Sequence, residues 1–205
     1  HPEMRYQVTL QAARSLEGGA LASPFTLSFS QAGRGAPIPI LMYHHVDVLQ
    51  PDAPADLREW TVSPQDFSAQ MDLLVQLGAH VVPLREAVDY LEKGEALPAQ
   101  PVVLTFDDGN SCLLREAIPE LEGRRWPATL FIPANYAEVN KKEYLNWAQL
   151  KSLVEAGLTL GGHSFNHAFV GNLSPAEAER QFGDERRRIE EMTGVQPEFF
   201  SYPFG

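Results

Sequence analysis

Residues 101–106, Pro-Val-Val-Leu-Thr-Phe, form an apolar run of six that ends in Asp107, Asp108 and Gly109. A run this short, rich in β-branched and aromatic residues, reads as a strand buried on both faces. Such a strand needs covering elements on either side, and the flanking sequence supplies them. Strand patterns fall at 38–43, 79–82, 101–106, 128–132, 158–160 and 199–202. Helix patterns fall between them. The first, 63–78, has Ser63 as N-cap, Pro64 at its first position, Asp66 in its first turn and Gly78 at its close. The others are 84–93 ending at Gly94, 111–122, 147–156 stopped by Gly157, and 174–192, launched by a Ser174–Glu177 capping box and ended by Gly194.

Strand alternating with helix predicts a parallel sheet, open or closed into a barrel. The polar residues favour the barrel. His44 follows the first strand of this series, Asp107 and Asp108 the third, His163 and His167 the fifth, and Pro203-Phe204 the sixth. All lie at carboxyl ends, and a barrel brings those ends to one mouth whatever the strand order.

Residues 1–35 differ from the rest. Positions 6–10 and 24–30 alternate like strands, with Phe25, Leu27 and Phe29 on one face, and Glu17-Gly18-Gly19 is a turn signal. A two-stranded unit cannot bury a core alone. It is expected to end a β-sandwich or to add to the surface of the main domain. Residues 31–37 read as a short linker. The expected organisation is therefore a β hairpin segment with linker at 1–35 and an α/β domain at 36–205.

Composition narrows the function classes. With 44% hydrophobic and 21% charged residues the chain is a folded protein. A formal net charge of -11 argues against a nucleic-acid backbone or an anionic membrane surface as its main partner. The most apolar runs, 101–106 and 128–133, are far short of a membrane span. No signal peptide opens the sequence, so export would be directed by residues outside it. Cys112 is the sole cysteine, so neither an internal disulfide nor a cysteine-based zinc cluster is available.

The chemistry sits in two motifs. Thr-Phe-Asp-Asp-Gly at 105–109 offers adjacent carboxylates, and His-Ser-Phe-Asn-His at 163–167 offers two imidazoles four residues apart. One carboxylate and two imidazoles make a three-ligand set for a divalent ion that leaves a position open. The second carboxylate is then available as a base. Taken singly, Asp-Asp-Gly is a common turn and His-x-x-x-His a common helical face; their joint placement at strand ends is what points to a metal. Among the other histidines, His80 reads as structural. Trp147 and Tyr144 are candidate sugar platforms, with core packing favoured for Trp147.

These two motifs, with Ser-Tyr-Pro-Phe-Gly at 201–205, resemble the first three motifs of the polysaccharide deacetylase family, also called the NodB-homology or carbohydrate esterase 4 family. The resemblance covers roughly residues 38–205. It implies a distorted, incomplete (β/α) barrel that removes acetyl groups from polysaccharides with a divalent metal. It makes Asp107 the general base and Asp108, His163 and His167 the metal ligands. Zinc is the first expectation, with cobalt, nickel or iron as alternatives. Two departures stand out. Ser201 occupies the place of an arginine that orients the base, and the family's last two motifs would lie beyond residue 205. Pro-Ile-Leu-Met-Tyr-His-His-Val at 39–46 resembles the opening strand of the branch that acts on poly-β-1,6-N-acetylglucosamine. That branch is circularly permuted and takes its general-acid histidine from an early strand. His44 matches that role, with His45 as the alternative.

The Pro203-Phe204 turn is the candidate oxyanion donor, and Tyr202 and Phe204 the candidate substrate contacts. The expected partner is an acetylated polysaccharide bound by a monomer. Residues 1–33 resemble the last strands of a bacterial immunoglobulin-like domain, which implies an extracellular or cell-surface location. Two rival functions remain open. A barrel glycosidase using Asp107 and Asp108 is disfavoured, because such carboxyls sit about 5–9.5 Å apart across the bond they cleave. A degenerate barrel that binds polysaccharide without turnover is kept open by Ser201 and by the two family motifs not found within residues 38–205.

Overall fold

A computed structural model describes residues 5–10, 25–30, 38–139 and 141–204. The two N-terminal strands, β1 (Arg5–Leu10) and β2 (Phe25–Ser30), pair antiparallel, with Arg5 opposite Ser30 and Leu10 opposite Phe25. The turn signal at 17–19 and the linker at 31–37 lie outside the described residues.

The elements that follow are β3 (Ile40–Tyr43), β4 (His45–Val46), α1 (Ala55–Glu59), β5 (Thr61–Val62), α2 (Pro64–Gln76), β6 (His80–Val81) and α3 (Leu84–Lys93). Next come β7 (Pro101–Asp107), α4 (Leu113–Glu116), α5 (Ile118–Arg124), β8 (Thr129–Ile132), α6 (Ala134–Glu138), α7 (Trp147–Glu155), β9 (Thr159–Gly162) and α8 (Pro175–Thr193). The start and stop signals read from sequence operate. The Ser63 and Ser174 side chains accept the backbone N–H of Asp66 and Glu177, and Gly94 and Gly194 end α3 and α8 in the left-handed conformation. The helix expected over 111–122 is broken into α4 and α5. Pro119 has no N–H for the carbonyl of Arg115, and it sits instead in the first turn of α5, where that donor is not needed.

β7 is the centre of an all-parallel sheet, and all seven of its residues are buried. β3 pairs with one edge of β7, β6 and β8 pair with successive parts of the other, and β9 pairs with β8. The sixth strand expected at 199–202 is reduced to a single parallel bridge between Phe200 and Gly162. Among the described residues the sheet does not close, so the fold is an incomplete α/β barrel. Phe67, Met71 and Leu74 of α2, Leu150 and Leu153 of α7 and Ile189 of α8 pack into one core with Leu104, Phe106, Leu130 and Leu160 of the sheet. Among the described residues no helix is long and apolar enough to cross a membrane.

Strand register sets the site. Tyr43 is opposite Phe106, so His44 leaves the sheet level with Asp107. Asp107 is opposite Phe131, and Ile132 is opposite Gly162, so His163 emerges one step beyond the same edge. The Gly162–Phe200 bridge brings Ser201 level with His163.

Candidate active site

Asp107 is the last residue of β7, and the chain then turns through two left-handed residues, Asp108 (φ 68°) and Gly109 (φ 67°). Gly109 is required twice over, because a Cβ there would lie 2.8 Å from Ile132 Cγ2. Ser164, His167 and Phe204 are also left-handed. Backbone of this kind costs about 1–3 kcal/mol per residue and persists only where its surroundings hold it. Four of the six described non-glycine residues with this backbone, Asp108 included, cluster here, which marks the mouth as a built site.

The carboxylate and imidazole atoms converge. Asp108 Oδ1 is 3.2 Å from His167 Nε2 and 3.6 Å from His163 Nε2, and the three side chains offer ligand atoms all within 4.8 Å of one another. The tautomer of His163 follows from its other nitrogen. Nδ1 lies 2.8 Å from the Ser201 carbonyl, which can only accept, so Nδ1 carries the proton and Nε2 presents a lone pair. That lone pair points among carboxylates, with Asp108 Oδ1 at 3.6 Å and Asp107 Oδ2 at 4.0 Å. Acceptors facing acceptors in a buried place are unfavourable without a cation between them. A divalent ion fits this donor set. Burial raises the Asp108 carboxyl, but the imidazoles of His167, His44 and His163 outweigh it and the net shift is downward. The His163 ring is shifted downward, chiefly by burial, which keeps it in the neutral form a ligand requires.

Asp107 is 3% exposed. Burial pushes its carboxyl up to about 6, against the pull of a hydrogen bond from Ser201. Ser201 Oγ donates to Asp107 Oδ2 at 3.1 Å, Ser201 N–H donates to the Gly162 carbonyl, and the Ser201 carbonyl accepts from His163. The residue that stands in the arginine position is thus engaged through all three of its polar groups.

His44 lies beside this cluster. Its imidazole is electrostatically coupled to Asp108 and His167, burial lowers its pKa, and its ring packs on Trp60 at 4.6 Å between centroids. Its neighbour His45 contacts Cys112, with Nδ1 4.0 Å from Sγ, and couples to Asp108 and Asp47. Phe204 packs its ring on His167 at 4.7 Å. Tyr202 turns elsewhere. Its ring meets Phe182 and Phe200, in a groove beside α8 that Glu185 and Phe199 also line. Tyr144 packs at a tilt on Tyr136, which in turn stacks toward His167, while Trp147 is in the core.

Glu185 is a buried acidic residue that carries no signal in the sequence. It lies in a run of charged residues on α8, yet it is 1% exposed. Burial pushes its carboxyl up to about 8, against the pull of backbone N–H groups of His163, Ser164 and Ala134.

The sequence profile of the polysaccharide deacetylases matches residues 94–205. The chain belongs to the polysaccharide deacetylase family. Among curated relatives, the Bacillus subtilis protein YxkH is 26% identical over 180 residues, which span 88% of this chain and 61% of that protein. The poly-β-1,6-N-acetyl-D-glucosamine N-deacetylase of Escherichia coli K12 is 24% identical over 170 residues, spanning 73% of this chain and 25% of that protein. The chain therefore covers less than two thirds of either relative. Among solved structures, the Streptococcus pyogenes deacetylase PplD in complex with acetate superposes with a TM-score of 0.75 at 25% identity, over 82% of this chain and 74% of that one. IcaB from Ammonifex degensii superposes with a TM-score of 0.68 at 29% identity, over 84% and 76%. The mixed α/β fold with an incomplete parallel barrel is the one these deacetylases share.

Proposed function

We propose that this chain hydrolyses N-acetyl groups on an acetylated polysaccharide in a metal-dependent reaction, with poly-β-1,6-N-acetylglucosamine as the substrate. The observation that carries the reading is the convergence of the Asp108, His163 and His167 ligand atoms, with the His163 lone pair turned toward the carboxylates and the second carboxylate, Asp107, held beside them by Ser201. The name of the Escherichia coli relative supports the choice of polymer.

A divalent ion held by Asp108, His163 and His167 would supply a Lewis acid for the acetyl carbonyl and would acidify water at the site. Two imidazole nitrogens and one carboxylate oxygen suit zinc, and also cobalt, nickel or iron. Asp107 takes the proton of the attacking water. A carboxylate raised to about 6 is ionised at neutral pH and is a better base than an exposed one. The backbone N–H at the Phe204 turn is offered to the oxyanion. His44 protonates the leaving amine, and its depressed pKa makes the protonated ring a stronger acid. A polymer of this kind lies outside the cytoplasm, and an extracellular or cell-surface location goes with this reading.

The test is acetate release from an acetylated β-1,6-glucosamine oligomer, with and without a chelator. Release that stops on chelation and returns with zinc is expected. Binding of the oligomer without release would favour a degenerate barrel, and chelator-resistant release would remove the metal.

A further inference from the structure

A carboxylate as buried as Glu185 is expected to sit against a cation. Its described hydrogen-bond partners are instead backbone N–H groups. His163 N–H donates to Oε1 at 2.7 Å, and the N–H groups of Ser164 and Ala134 also donate to this carboxylate. One turn earlier on the same face of α8, Gln181 continues the pattern. Its backbone carbonyl accepts from Phe165 N–H at 3.1 Å, and its side-chain Oε1 accepts from Asn166 N–H at 3.2 Å. The four consecutive donors of 163–166 therefore all end on two residues of one helix.

That stretch needs holding. It contains the left-handed Ser164 and runs into the left-handed His167, so its backbone would relax if released. Space for the carboxylate has been cleared as well. A Cβ on Gly162 would come within 2.5 Å of Glu185 Oε2. A glutamate side chain can meet three converging N–H groups because both of its oxygens carry acceptor lone pairs, whereas an amide has one acceptor oxygen and would set its own NH₂ against one of them.

We propose that Glu185 is a positioning residue which, with Gln181, fixes the 163–167 backbone so that His163 and His167 face Asp108. This rests on the reading of Asp108, His163 and His167 as metal ligands. Glu185 acts through the loop and touches neither the ion nor the substrate.

The experiment measures zinc affinity of the metal-free full chain by competition with a chromophoric chelator, well below the unfolding temperature. Circular dichroism and thermal unfolding of the same samples run alongside. Glu185→Gln is isosteric, and it should weaken zinc roughly 10–100-fold, the usual cost of losing a residue that orients a ligand. Gly162→Ala leaves Glu185 in place but displaces its carboxylate, and should weaken zinc in the same direction. A folded Glu185→Gln protein with wild-type zinc affinity would overturn the proposal and leave Glu185 a purely structural residue. Should Glu185→Gln fail to fold, Gln181→Ala is read instead. It removes only the acceptor of Asn166 N–H, and unchanged zinc affinity there would overturn the proposal equally. Failure of the wild-type chain to bind zinc is a separate outcome, which overturns the ligand assignment and this proposal with it.

Discussion

Replacing Asp107 with asparagine should improve the fold and abolish the reaction. The side chain keeps its shape and still accepts the Ser201 hydroxyl, so the local packing survives. What goes is the charge. Burial raises this carboxyl from 3.8 to about 6. A group raised in this way carries no penalty below its unfolded pKa and loses stability as pH rises through the interval between the two values. At ~1.4 kcal/mol per pH unit, keeping it ionised at neutral pH costs the metal-free fold about 3 kcal/mol. Asp107→Asn should recover most of that, which for a chain of this size means a Tm several degrees higher. Turnover moves the other way. Loss of a general base costs about 10²–10⁴-fold, and with Asp107 only 3% exposed, bulk water is poorly placed to replace it, so the upper end applies. The assay pairs thermal unfolding of the metal-free protein with acetate release by the zinc-loaded one. Turnover within tenfold of wild type would refute the base assignment. A lowered Tm would refute the account of burial.

Three further outcomes follow from the same geometry. His44→Ala should retain zinc and lower turnover about 10²-fold or more, the loss expected for a general acid; unchanged turnover would pass the role to His45, tested by His45→Ala. Ser201→Ala removes one hydrogen bond to a buried carboxylate, worth about 1.5–3 kcal/mol, and should lower kcat roughly tenfold or more with zinc affinity kept, since the His163 contact is to the Ser201 backbone. Activity should rise with pH as Asp107 ionises, with a midpoint at or below about 6 because a neighbouring cation favours the charged form; that limb should be absent from any residual activity of Asp107→Asn.

Much of this was legible in the sequence, for identifiable reasons. The run at 101–106 is apolar at nearly every position because both faces of β7 are covered, and the Ser63 and Ser174 caps act through neighbours within three residues. The joint motif at 105–109 and 163–167 survives because strand ends are where a parallel sheet gathers side chains. What was missed depends on contacts far apart in the chain. Glu185 reads as one more charge on an exposed helix, since its partners are backbone groups that carry no signature in composition. Ser201 reads as a lost arginine, whereas its three bonds reach Asp107, Gly162 and His163, up to 94 residues away. Trp60 gave no signal at all, because its contact with His44 depends on how the chain returns after α1. The last strand shrank to one bridge at Phe200, a length that alternation over four residues cannot reveal.

The central claim is that Asp108, His163 and His167 hold one divalent ion beside Asp107. The direct measurement is an anomalous-diffraction structure of the zinc-loaded chain. One ion should appear bound by Asp108, His163 and His167, with zinc–nitrogen distances of about 2.0–2.1 Å and Asp107 adjacent but not ligating. An ion bound elsewhere, or these three side chains turned apart in the loaded protein, would contradict the account.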